Sequence, residues 1–143
     1  MKRSTIIFTV VAISLVLFYQ TTFAGNEKGH DLNGDWDAFY DSGGYGNYED
    51  VVRITQKDNQ FVGIYLIKGD NLVGKNEEKI KGKIIGNVID EIFFNDIKDG
   101  ATMDLHWAPS QAEISQDGNA IMIKRLWIEK GATTTRTLSL KRK

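Results

Sequence analysis

From Leu32 onward, apolar residues recur at every second position, and clusters of Gly, Asn and Asp interrupt them at intervals of roughly 8 to 12 residues, the pattern of successive hairpins. The spacing predicts strands from Gly34 to Tyr40, Asp50 to Gln56, Gln60 to Ile67, Lys79 to Ile85, Val88 to Asn95, Thr102 to Trp107, Ala120 to Glu129 and Thr133 to Lys141. A further short strand is expected from Gln111 to Ser115. Between them, segments such as Lys57-Asp58-Asn59, Gly86-Asn87 and Asp117-Gly118-Asn119 supply residues that tolerate the positive φ of tight turns. Alternation also assigns faces. Lys79, Lys81 and Lys83 share one side of their strand and Ile80 and Ile84 the other, so the lysines are expected in water.

Two segments depart from one-sided alternation. Phe61 to Ile67 and Ile121 to Ile128 carry apolar residues on both faces, so a subunit partner, a loop or a second layer is expected to cover them. An open sheet of eight strands would leave two unpaired edges, which a meander commonly removes by closing on itself. The expected architecture is all-β: one small antiparallel up-and-down barrel of about eight strands.

What precedes the barrel reads as an export signal. Lys2 and Arg3 form a basic start, Ile6 to Phe18 an apolar run and Ala24 a small residue at a cleavage position. The apolar run is shorter than the roughly 20 residues of a transmembrane helix, and no stable membrane anchor is expected. This gives a signal peptide over 1–24, a flexible polar leader over 25–31 and a barrel domain over 32–143. The protein is expected to be exported, to the periplasm or beyond the cell. The chain has no cysteine, so neither a disulfide nor a thiolate supports fold or chemistry. Without Lys2 and Arg3, 16 basic residues stand against 19 acidic ones, a net charge of −3 that argues against nucleic acid as a partner.

Gly34-Asp35-Trp36 at the opening of the first strand resembles the start of calycin-type barrels, the lipocalins and avidins. The likeness to avidins continues through Gly63-Ile64-Tyr65, Leu105-His106-Trp107 and Leu126-Trp127-Ile128 followed by Gly131 and threonines. The resemblance implies that Trp36 closes one end of the core beneath Arg136, and that Ser42, Tyr65, Trp107 and Trp127 face a ligand. Ala38 stands where that family has an Asn, and Ile67 where it has a Ser, so donors and acceptors for a urea-like head group are missing.

Other chemistry is weakly supported. Asp31-Leu32-Asn33-Gly34-Asp35 alternates acids as a calcium loop does, but Trp36 stands where that loop needs Gly and Ser42 where it needs Glu, so no metal is expected. Asp96 and Asp99 read as turn formers beside Gly100, and His106 as an exposed strand histidine with Ser110 as the nearest hydroxyl, without a nucleophile elbow. The expected function is therefore non-enzymatic and cofactor-free: a secreted barrel binding a small, mainly apolar ligand between Ser42, Tyr65, Trp107 and Trp127. Tyr45 and Tyr48 sit in a glycine-rich loop at the barrel mouth. The alternative is a protein-binding module, an inhibitor or envelope-protein partner, acting through that loop or through the strand around Met122 and Leu126; a homo-oligomer would use the same surfaces.

Overall fold

The computed structural model describes residues 29–97, 104–129 and 131–143; the expected signal peptide, the first part of the leader, and Thr102 and Met103 of the sixth expected strand lie outside them. Nine strands follow one another: β1 (Gly34–Asp41), β2 (Asn47–Lys57), β3 (Gln60–Tyr65), β4 (Glu78–Ile85), β5 (Val88–Ile97), β6 (Leu105–Pro109), β7 (Gln111–Ile114), β8 (Ala120–Glu129) and β9 (Ala132–Arg142). All pairings are antiparallel, and β1 pairs with both β2 and β9, so the sheet curls into a nearly closed barrel.

Nine strands stand where about eight were expected because one run changes partner midway. Pro109 has no N–H to give a ladder. Before it, β6 pairs with β5; after it, β7 pairs with β8. The Ser110 N–H donates to the Ile92 carbonyl at 3.0 Å, which ties the bend across the seam. Beyond the Gln111–Lys124 pair, β8 has no ladder partner on that side among the described residues.

The inward rows are packed. Trp36, Tyr40, Phe61, Tyr65, Phe94, Ile123 and Leu138 are at most 2 % exposed. Gly82 belongs to this packing, since a Cβ there would stand 2.8 Å from the Phe61 ring and closer still to the Glu91 carbonyl. Two bulges re-phase the alternation. One, at the Gly63/Ile64 step of the β3–β4 ladder, turns both Lys79 and Ile80 inward, so Lys79 is fully buried and not in water as its strand pattern implied. The other, between β4 and β5, moves the inward row of β5 from Ile89 onto Ile92, Phe94 and Asp96.

One end of the barrel is sealed. Trp36 is buried, its Nε1 donates to the Leu32 carbonyl at 3.0 Å, and a guanidinium covers its ring at 4.4 Å. That cation is Arg142, which also donates to the Asp31 and Asn33 carbonyls; Arg136, expected in this place, lies elsewhere. Residues at the end of the expected leader take part, with the His30 N–H on the Gly86 carbonyl at 3.2 Å and the His30 ring against Gly118.

At the other end the loops gather. The Asp50 carboxylate accepts the backbone N–H groups of Val51, Ile67, Lys68 and Gly69 at 2.7–2.9 Å, and that of Leu66 at 3.2 Å. These bonds end β3 at Tyr65, two residues before the expected limit, because its amides turn to a side chain. The apolar outer faces stay uncovered among the described residues: Leu126 and Ile128 are 68 % and 72 % exposed, with Met122 and Ile67 also in water.

Burial pushes the Asp50 carboxyl up, but the N–H groups of Lys68, Gly69, Ile67 and Val51 outweigh it and hold its pKa below the usual carboxylate range. With the folded value depressed, this stabilisation is complete above the unfolded value near 4 and is lost as pH falls through the folded one. Asp50→Asn is expected to cost about 2 kcal/mol at neutral pH, a difference that shrinks in urea melts as pH falls below the unfolded value near 4 and through the lower folded one.

Candidate functional site

The inward rows of β5, β8 and β9 are apolar along most of their length and change character at the loop end. Asp96 follows Phe94, Arg125 follows Ile123, and Arg136 precedes Leu138, so alternation aims all three charges into the barrel. Asp96 Oδ2 meets Arg125 Nη1 at 2.6 Å and Asp96 Oδ1 meets Arg136 Nη1 at 2.5 Å. All three are nearly or fully buried, and the ion pairs join β5 to β8 and β9 where the ladder between β6 and β8 is missing.

Aromatic rings close around the two guanidiniums. Trp127, also on the inward row of β8, lies 4.3 Å from the Arg136 guanidinium and 5.1 Å from that of Arg125. Tyr45, 58 % exposed in the β1–β2 loop, has its ring 5.6 Å from Arg136. Beside them a second ion pair, Lys79 Nζ to Asp70 Oδ2 at 2.7 Å, is wholly buried. Lys79 lies over the Tyr40 and Phe94 rings, and Tyr65 donates its hydroxyl to the same Asp70 oxygen at 2.9 Å. Burial lowers the Lys79 and Arg125 pKa values and raises those of Tyr40 and Tyr65, each opposed or aided by the neighbouring carboxylates.

The charges do not share partners evenly. Asp50 is taken up by backbone amides and Asp70 by Lys79, which leaves Asp96 alone between Arg125 and Arg136. Hydrogen bonding there is incomplete. Arg136 Nε, Arg125 Nη1 and the Tyr40 hydroxyl are buried without a hydrogen-bond partner, and the Arg125–Asp96 contact lacks hydrogen-bond alignment.

The structure brings together some of the expected site residues and separates others. Trp127, Tyr65 and Ser42 all lie at the loop end. Tyr65 is engaged by Asp70, and the Ser42 hydroxyl donates to the Gly46 carbonyl at 2.6 Å, so Ser42 shapes the mouth loop. Trp107 is opposite Asn95 on the outward row, with Lys81 over its ring at 4.2 Å; it is not in the interior wall. Of the loop tyrosines, Tyr48 stacks back on Tyr40 at 6.1 Å, while Tyr45 stays at the surface over Arg136.

His106 faces inward opposite Asp96, its Nδ1 3.0 Å from the Asp96 carbonyl, which corrects its reading as an exposed histidine. Ser110 donates to the Ala108 carbonyl. Asp96 is no turn former but the centre of the ion cluster; Asp99 lies outside the described residues. The signal for Asp96, Arg125 and Arg136 was present as charges falling on inward positions between large apolar residues.

A separate groove of about 830 Å³ crosses the outer faces of β7, β8, β9, β1 and β2, floored by Phe39, Met122 and Ser139 and edged by Asp37, Glu49, Glu113, Asp117 and Lys141. In comparisons with protein families, curated proteins and solved structures, nothing matches this chain. The nearly closed antiparallel barrel is what the structure shares with the expected calycin-type architecture.

Removing the central acid isolates two buried cations. Asp96→Asn is expected to lower unfolding free energy by about 3–5 kcal/mol in denaturant melts, more than Arg125→Met does, because the latter leaves a balanced Asp96–Arg136 pair.

Proposed function

We propose that the protein is a non-enzymatic binding barrel that takes a small ligand at its loop end, against Trp127 and under the Tyr45 loop. The packed centre argues against the cavity through the barrel that the sequence led us to expect. The carrying observation is the position of the Asp96–Arg125–Arg136 cluster, buried directly beneath an exposed aromatic residue on a glycine-rich loop. Buried charge costs stability unless something needs it, and ionisable groups concentrated at a loop end are candidates for recognition. The ligand's apolar body takes the place of Tyr45 on the guanidinium. With Arg136 buried and Tyr45 exposed, that cation–π contact is worth about 1–2 kcal/mol, which an aromatic body on the same guanidinium would restore.

The loop is suited to such an exchange. Gly43 holds φ +69° and a Cβ there would stand 2.3 Å from Thr134 Cγ2, so the chain turns tightly against β9 before Tyr45. Ser42 and Gly46 pin the base of the turn, and the Tyr48 hydroxyl donates to the Tyr45 carbonyl at 3.3 Å. The expected export over residues 1–24 belongs to this reading, with the ligand met outside the cytoplasm.

A second reading, a protein-binding module, is supported by the outer groove and the uncovered Leu126 and Ile128. Its rim of Asp37, Glu49, Glu113 and Asp117 suits a partner segment that is apolar at the centre and basic at the edges.

Tryptophan emission tests the first reading. A panel of small aromatic and lipophilic compounds is expected to contain members that shift emission saturably in the wild type and not in Trp127→Phe. Tyr45→Ala should alter affinity while changing stability by no more than about 0.5 kcal/mol. A panel without any saturable response overturns the mouth site; Leu126→Lys then tests the second reading by its effect on association in light scattering.

A further inference from the structure

We infer that the ligand of the loop end is a small organic carboxylate that accepts from Arg136 Nε and the Tyr40 hydroxyl. This rests on the mouth-site reading above and adds the chemical class. Two guanidiniums share one carboxylate, leaving a local excess of one positive charge in a water-poor site. A monoanion cancels that excess; a neutral ligand leaves it in place and a dianion overshoots it. The unpaired donors have the matching chemistry. Among the described residues, Arg136 Nε is an N–H group without an acceptor, and a planar carboxylate is the acceptor whose shape fits a guanidinium edge. Tyr40 stands opposite Leu138 on β9, one inward position from Arg136, and its hydroxyl is likewise unpartnered.

The rings limit the rest of the molecule. Trp127 and Tyr45 flank Arg136, so the carboxylate carries an apolar or aromatic body that replaces Tyr45 on the cation.

Tyr40→Phe separates this role from a structural one. A buried hydroxyl without a partner adds nothing to the fold, so its removal is expected to leave the melting temperature unchanged or raised. Carboxylate binding should nonetheless weaken by roughly tenfold, the loss of one hydrogen bond to a charged acceptor. A structural residue would show the reverse.

The experiment titrates the full-length mature protein with acetate, benzoate, phenylacetate and octanoate, and in parallel with the corresponding amides. It follows the arginine Nε–Hε signals by NMR and affinity by calorimetry. At least one carboxylate is expected to move the Arg136 signal saturably, its amide binding at least about tenfold more weakly. Arg136→Lys, which keeps the charge but loses the planar fork, should abolish the response; a folded spectrum and thermal melt of that variant check that the site alone has changed. Equal binding of acid and amide overturns the carboxylate inference and leaves the mouth site standing. A response unaffected by both Arg136→Lys and Tyr40→Phe places the anion elsewhere and overturns it as well. No response to any acid or amide overturns both readings.

Discussion

The molecule depends on how a strongly curled sheet joins its edges. Pairing of β1 with β9 closes most of the circle, and the remaining seam is bridged in two different ways. At the sealed end β7 and β8 share a ladder and Ser110 ties the bend to Ile92. At the loop end the ladder stops, and side-chain charge does what backbone hydrogen bonds do elsewhere: Asp96 of β5 holds Arg125 of β8 and Arg136 of β9. Pro109 is the cause of the difference, because it forces the sixth run to change partner. The ion cluster is therefore a consequence of closure, and its placement at the opening follows from the same bend.

Charge is an uneconomical way to close a seam. Apolar residues of equal volume would hold β5 to β8 with no desolvation penalty, and replacing buried ion pairs in that way is often neutral or stabilising. The sealed end shows the cheaper solution in this very barrel, with Trp36, Leu32 and the stem of Arg142 packed together and the cation's head on backbone carbonyls. The two ends differ further in satisfaction. Arg142 finds its acceptors, while Arg136 Nε and Tyr40 do not. Asymmetry between two ends of one packed core is what supports the proposed binding role of the cluster; closure alone would not require that asymmetry.

The strands were legible because alternation is a backbone property that short-range sequence carries directly. β1, β5, β8 and β9 fell within a few residues of expectation for that reason. Lys79 was not legible: an extra residue in β4 re-phases the row by one, and nothing in Glu78-Lys79-Ile80 marks a bulge. The seam was half legible, with Gln111 to Ser115 foreseen as a short strand but the change of partner at Pro109 dependent on tertiary closure. Trp127 lies at the loop end where its motif implied it would, and Tyr45 lies in the expected loop over Arg136. Trp107 misled because a motif gives the residue type and leaves the facing row undetermined. Arg136 and Arg142 lie on the same inward row, three turns of alternation apart in position, so the cation over Trp36 required knowing where β9 meets β1. The acids Asp50, Asp70 and Asp96 have partners far along the chain that no local pattern announces.

The two faces of β8 join the mouth and the outer stripe into one question. Arg125 and Trp127 point inward, and Leu126 and Ile128, between and beyond them, point outward on the same few ångströms of strand. With no ladder partner beyond Lys124 on one side among the described residues, this stretch is held by β9 and by the ion cluster. On the proposed reading, a ligand that completes the charge around Arg136 would tighten the inner anchoring and steady the outer apolar stripe with it. A protein seated on Leu126 and Ile128 would in turn restrain the strand that carries Arg125 and Trp127. Occupancy of either face would thus stabilise the same segment, and linkage would make that coupling reciprocal: whatever bound the mouth more tightly when the stripe is covered would also favour covering the stripe when the mouth is filled.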